Sequence, residues 1–149
     1  MRLSPVLAFA ALFGAGVFFA GCGSEENTDL FTLVVPTLNK TVSADSADVK
    51  FDIYITNNTA VPLALSWERT LNSIPRLEGW ESAFCDVNMC YLPGTSTQSF
   101  ILPANVTDTM SLHFYPAGYA GTGTATIEVF KTDDRAGTMQ SVTATLTTN

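Results

Sequence analysis

Residues 49–65 read Val49-Lys-Phe-Asp-Ile-Tyr-Ile-Thr-Asn-Asn-Thr-Ala-Val-Pro-Leu-Ala-Leu65. Successive side chains of an extended strand point to opposite faces. Val49, Phe51, Ile53 and Ile55 therefore form an apolar row, with Lys50, Asp52, Tyr54 and Thr56 opposite. Asn57-Asn58 supplies the turn, because asparagine side chains bond nearby backbone and tolerate left-handed conformations. Leu63, Leu65 and Trp67 then open a second apolar row. Alternation sustained in this way signals half-buried strands.

The same pattern recurs outward. Leu30–Val35 forms a first short strand ended by Pro36, and Trp80–Val87 and Gln98–Leu102 are less regular strands. Met110, Leu112 and Phe114 alternate with Ser111, His113 and Tyr115; Ala125, Ile127 and Val129 alternate with Thr124, Thr126 and Glu128. Val142, Ala144 and Leu146 follow, interleaved with threonines, and no segment sustains a helical period. Seven or eight short strands predict an all-β antiparallel sandwich. Gly118, Gly121, Gly123 and residues 133–137 are expected in its loops.

Two stretches, residues 49–65 and His113-Phe-Tyr-Pro116 with the glycine-rich run after it, resemble bacterial immunoglobulin-like domains. The resemblance is to the group related to major sperm protein and the ASPM/SPD-2/Hydin domain. It implies an immunoglobulin-like fold with a binding or assembly role, and it carries no catalytic residues. Trp80-Glu-Ser-Ala-Phe-Cys-Asp-Val-Asn-Met-Cys-Tyr91 stands outside that pattern. It is similar to a cysteine-clipped corner in exported Bacteroidetes proteins of unassigned function.

The amino terminus reads as an export signal: Arg2, a 15-residue apolar or small run from Val6 to Ala20, then Gly21 and Cys22. The run is shorter than the roughly 20 residues a spanning helix needs. Phe19-Ala20-Gly21-Cys22 resembles the lipobox of bacterial lipoproteins, with Phe19 where leucine is usual. The resemblance implies cleavage before Cys22 and palmitate-type lipidation of that residue. Residues 1–21 are then signal, 22–29 a lipidated polar tether and 30–149 the domain. Gly23 is not the aspartate that signals inner-membrane retention by resemblance to enterobacterial lipoproteins, so an outer-membrane lipoprotein is expected, periplasmic or surface-exposed. Glu25-Glu26 is similar to the acidic pair that sends some Bacteroidetes lipoproteins to the surface.

Without the signal, seven basic residues less Arg2 leave six against 14 acidic ones, a formal charge of −8. Such a surface opposes binding to nucleic acid or anionic headgroups. The expected partners are the membrane, through the lipid on Cys22, and an envelope protein or glycan; no cofactor is expected. With Cys22 lipidated, Cys85 and Cys90 remain as a pair, which an oxidising compartment would join. So short a loop gives roughly 2 kcal/mol in the chain-entropy account. The alternatives are a thiol-disulfide oxidoreductase using Cys85 and Cys90, or a soft-metal site with Met89, for which His113 is the one histidine available.

No Gly-x-Ser-x-Gly elbow is present, so a hydrolase centred on His113 would lack its usual signature. Gly118-x-x-Gly121-x-Gly123 lacks the Lys-Ser/Thr ending of a phosphate loop. Asp45 and Asp48, and Asp133-Asp134, lack the ligand series of a calcium loop. Trp67 shares a face with Leu63 and Leu65 and belongs in the core. Trp80 and Tyr91 flank the clipped corner, where packing stands as the alternative to exposure, and are the first candidates for contact residues on a catalysis-free module. Ser46 and Thr109 stand in triplets resembling Bacteroidetes O-glycosylation acceptors. A further reading is a passive structural subunit of an envelope complex.

The intact mass of the non-reduced, alkylated protein from native membranes tests the anchor and the staple together. Acyl chains on Cys22 and an unalkylated pair at Cys85 and Cys90 are expected; an unlipidated chain would return the signal to an ordinary secretory one.

Overall fold

The structure is a computed structural model that describes residues 29–149. Cys22, the signal segment 1–21 and tether residues 22–28 lie outside the described residues. Nine strands are present among the described residues: β1 (Phe31–Val34), β2 (Asn39–Val42), β3 (Val49–Asn57), β4 (Leu63–Ser73), β5 (Glu81–Cys85), β6 (Thr97–Leu102), β7 (Thr107–Tyr115), β8 (Gly121–Lys131) and β9 (Gln140–Thr148). A 3₁₀ turn at Arg76–Glu78 and a four-residue helix, α1 (Arg135–Thr138), complete the described part. The strands form two packed sheets, ordered β1-β3-β7-β5 and β2-β9-β8-β4-β6. The all-β sandwich is thus as expected, with one strand more than the alternation revealed.

The apolar rows make the core. Val49, Phe51, Ile53 and Ile55 of β3 are buried, and their ladder pairs them with Phe114, Leu112, Met110 and Asp108 of β7. Trp67, Ile127, Val129, Ala144 and Leu146 face them from the second sheet. Each such large side chain gains about 1.5–3 kcal/mol on burial. A one-residue slip of β3 would expose its whole row, a loss of at least about 6 kcal/mol against the 5–15 kcal/mol that holds a typical domain together. That loss fixes the register.

Asn57 ends β3 and hands the chain to the other sheet. Its buried Nδ2 donates toward the carbonyls of Val61, Leu102 and Pro103 at 2.9, 3.1 and 3.0 Å. Its Oδ1 accepts from the Thr59 amide and hydroxyl, both at 2.8 Å. β1 and β2 also belong to different sheets, and Pro36, which can donate no ladder hydrogen bond, stands between them. β2 then pairs parallel with β9. Its exposed, polar Asn-Lys-Thr-Val gives no clean alternation, which is why the sequence reading omits it.

Gly121 and Gly123 lie inside β8 rather than in a loop, correcting the sequence expectation. The Trp80 ring lies over them: a Cβ on Gly123 would sit 2.9 Å from Trp80 Cζ3 and 3.1 Å from Ile74 Cγ2. Gly118 does occupy the turn, at φ +84° beside Ala117 at +56°. The outer face of the second sheet carries cross-strand threonine pairs, Thr124–Thr145 at 3.1 Å and Thr126–Thr143 at 2.8 Å.

Gly123→Ala is expected to destabilise the domain by about 1–3 kcal/mol through overpacking against Trp80. Urea unfolding checks this, with an unchanged midpoint as the contrary result.

Candidate functional site

Two features stand together at the β5 edge: the corner after β5, and the outer face of the first sheet beside it. The corner is built around a carboxylate. Asp86 is 5% exposed, and its oxygens accept from Trp67 Nε1 at 3.1 Å, the Tyr91 hydroxyl at 2.8 Å and the Asn88 and Met89 amides at 2.8 and 3.3 Å. A buried carboxylate is tolerated when its lone pairs are met this fully. Burial pushes the Tyr91 phenol up to about 12, with its hydrogen bond to Asp86 and that charge adding to the effect.

Arg69 pins the other side. It is half-buried and donates to the Ser82 carbonyl at 2.8 Å, the Ser82 hydroxyl at 2.9 Å, the Thr95 carbonyl at 2.9 Å and the Pro93 carbonyl. Desolvation, then the neighbouring Arg76 charge, lowers its pKa from the ordinary arginine value. The ladder of β4 with β8 shifts register between Arg69 and Leu71, immediately after this side chain. Cys85 and Cys90 face each other across the corner in a disulfide, the pairing expected from the cysteine count.

Of the two readings of Trp80 and Tyr91, packing holds, and their expected role as the contact residues of the corner is corrected. Trp80 is 2% exposed: its ring packs over Gly121 and Gly123, and its Nε1 donates to the Tyr119 carbonyl at 3.1 Å. Tyr91 is half-buried, with its ring 5.5 Å from that of Trp67 and its hydroxyl turned onto Asp86. The side chains the corner offers to solvent are Met89, 58% exposed, and Leu92, 80% exposed. An open cleft of about 310 Å³ lies alongside, lined in part by Asn72, Arg76, Glu81, Ser82 and Pro93.

On the adjoining sheet face, Asp48, His113 and Ser111 form a hydrogen-bonded chain. His113 Nδ1 lies 2.9 and 3.0 Å from the two Asp48 oxygens, and Nε2 lies 2.9 Å from Ser111 Oγ. A carboxylate only accepts, so Nδ1 carries the proton; in the neutral ring Nε2 then accepts from the serine. The order matches a Ser-His-Asp triad. Acyl transfer needs, in addition, amides aimed at a developing oxyanion. β7 lies between β3 and β5, with Ser111 paired to Asp52 on one side and Cys85 on the other. Its backbone amides are thus committed to ladders. The face is acidic: Tyr115 is raised chiefly by burial, with Asp48 and Glu81 contributing, while Lys50 pairs with Asp52 at 3.0 Å.

Ser-x-His on one strand face was the only sequence signal for this chain of bonds, and Asp48 is too distant in sequence to join it by pattern. Of the other residues singled out, Trp67 is in the core. Asp133 pairs with Lys131 at 2.7 Å, and Asp134 caps α1 through the Gly137 amide. Thr109 is exposed on β7, and Ser46 is half-buried in the segment before β3.

No protein-family model matches the chain, and no curated protein matches it in sequence. Solved structures do match its shape. The N-terminal domain of PorA superposes with a TM-score of 0.57 at 15% identity, over 79% of this chain and 98% of that one. A family 123 glycoside hydrolase from Clostridium perfringens gives 0.52 at 8% identity, over 80% of this chain but 27% of the enzyme. WR4, an MSP family member of C. elegans, aligns at 0.43 and 11% identity, over 81% and 99% of the two chains. The fold is an immunoglobulin-like sandwich. Likeness at these identities extends to the fold alone.

Asp86→Asn is expected to bring the Tyr91 titration back toward its ordinary value of 10, read by ultraviolet spectrophotometric titration. A phenol whose pKa is raised by folding stabilises the domain fully below its unfolded value. That contribution falls as pH rises between about 10 and 12 in the native protein. The variant should weaken this alkaline dependence while burial retains part of it; an unmoved Tyr91 would remove Asp86 as its partner.

Proposed function

We infer that this chain is a non-catalytic, lipid-anchored module of the bacterial cell envelope that engages another envelope protein through its clipped corner. The supporting observation is the exposure of Met89 and Leu92 on a loop held by a disulfide and by Asp86 and Arg69. Apolar groups presented on a pre-ordered segment favour association, because little conformational entropy remains to be lost on binding. A glycan is less well served: Trp80 is buried and the Tyr91 hydroxyl is engaged, so neither offers a free stacking face with a polar handle.

The anchor in this reading is the lipid on Cys22, and the location is the outer membrane. The charge of −8 keeps the mature chain away from nucleic acid. The oxidoreductase alternative is not favoured. Cys85 and Cys90 flank a turn that follows a strand, rather than a helix N-terminus that would depress a thiol pKa. A hydrolytic role for Ser111 and His113 finds no support in the ladder-bound amides around them.

Co-purification from native membranes, comparing the natural protein with a Met89→Asp, Leu92→Asp double variant, tests the surface. The variant is expected to lose at least tenfold of the captured partner, as truncation of a central apolar anchor does. Equal capture would move the contact away from the corner and leave a passive structural subunit as the reading.

A further inference from the structure

The clip and the sheet face meet at one point. Cys85 Sγ, Cys90 Sγ and a ring nitrogen of His113 all lie within 4.8 Å of one another. Cys85 is the ladder partner of Ser111, the residue that His113 Nε2 reaches, so Nε2 is the nitrogen on the cysteine side. The other nitrogen is committed to Asp48. A histidine whose Nδ1–H is held by a carboxylate, with Nε2 presented alongside two sulfurs, is the arrangement of a metal-binding imidazole.

We propose that, once the disulfide is reduced, Cys85, Cys90 and His113 bind one thiophilic d10 cation such as Zn2+, with Asp48 positioning the histidine. Reduction by a dithiol transfers two electrons and two protons to the disulfide; the dithiol closes to its own cyclic disulfide. Metal binding then releases two protons as the thiols become thiolates, and two thiolates with a neutral imidazole leave the Zn2+ site uncharged. Tetrahedral bonds of about 2.3 Å to sulfur and 2.0 Å to nitrogen need donors roughly 3.5–3.8 Å apart. The His113 nitrogen stands within 4.8 Å of both sulfurs, and parting of the joined sulfurs is the main adjustment. Nε2 exchanges the Ser111 hydroxyl for the metal. Cys90 is exposed, which gives reductant and cation access, while Cys85 is buried against the sheet. The fourth position stays open to solvent or to a ligand. The corner would then carry either of two staples, a covalent one under oxidising conditions and a metal one under reducing conditions.

The test titrates the reduced full chain with Co2+ as a spectroscopic probe, followed by Zn2+ competition. One equivalent of Co2+ with a thiolate-to-cobalt charge-transfer band, displaced by Zn2+, is expected. The non-reduced protein should give no band. Asp48→Asn should weaken binding by about 10–100-fold, and His113→Ala by at least that much, each variant first shown folded by near-ultraviolet circular dichroism in its oxidised form. His113→Gln serves if the alanine variant does not fold. Absence of the band in the reduced natural chain would overturn the proposal, as would unchanged affinity in the His113 variants. A reduced chain that loses its tertiary dichroism and does not recover it with Zn2+ would overturn it equally.

Discussion

Asp86 is a carboxylate removed from water at the rim of an apolar sandwich, and burial of that kind is costly unless donors surround it. Its donors come from both sides of the molecule. Trp67 belongs to β4 in the five-stranded sheet, whereas Asp86 follows directly on β5 of the other, and Tyr91 closes the corner between them. One oxygen is thereby shared between a core tryptophan and a surface loop. Arg69, also on β4, repeats the arrangement a few residues away by reaching Ser82 of β5 and the loop carbonyls of Pro93 and Thr95. This side of the sandwich is closed by polar bonds between the sheets as well as by apolar packing.

That closure has a second consequence. β5 is a short edge strand, and an unprotected edge invites pairing with another chain. Here the outward carbonyl of Ser82 accepts from Arg69, that of Phe84 accepts from the Tyr91 amide, and the Asp86 amide donates to Met89. The clip therefore occupies the edge while holding Met89 and Leu92 outward. A contact surface made this way works through side chains, since the outward carbonyls of Ser82 and Phe84 are already engaged. The disulfide adds a covalent tie at the same place, and its sulfurs lie against the polar strand face that carries His113.

Fold and site differ in how far they could be read in advance. Strands β3, β4, β7, β8 and β9 were legible because each buries one face, and burial of one face writes a period of two into the chain. β2 was not, because one of its faces is exposed and the other only half-buried, with Lys40 beside Val42, and it is held by pairing with β9. Trp80 was left open between packing and exposure for a related reason. Nothing local distinguishes a tryptophan at a corner from one in the core, and what buries Trp80 is two glycines some 40 residues on, Gly121 and Gly123, which leave room for its ring. Those glycines were in turn read as loop residues, since glycine within a strand declares itself only when the object lying over it is known.

The sequence by itself determined the sandwich and its apolar core, because hydrophobic alternation is a property of the chain, and it set Cys85 and Cys90 close enough along the chain to be a candidate pair. Only the tertiary structure decided which polar residues act together. Asp86 with Trp67, Arg69 with Ser82 and Thr95, and Asp48 with His113 join positions 13 to 65 residues apart. Such pairings depend on which strands become neighbours, and strand order is set by long-range packing that leaves no local period to read.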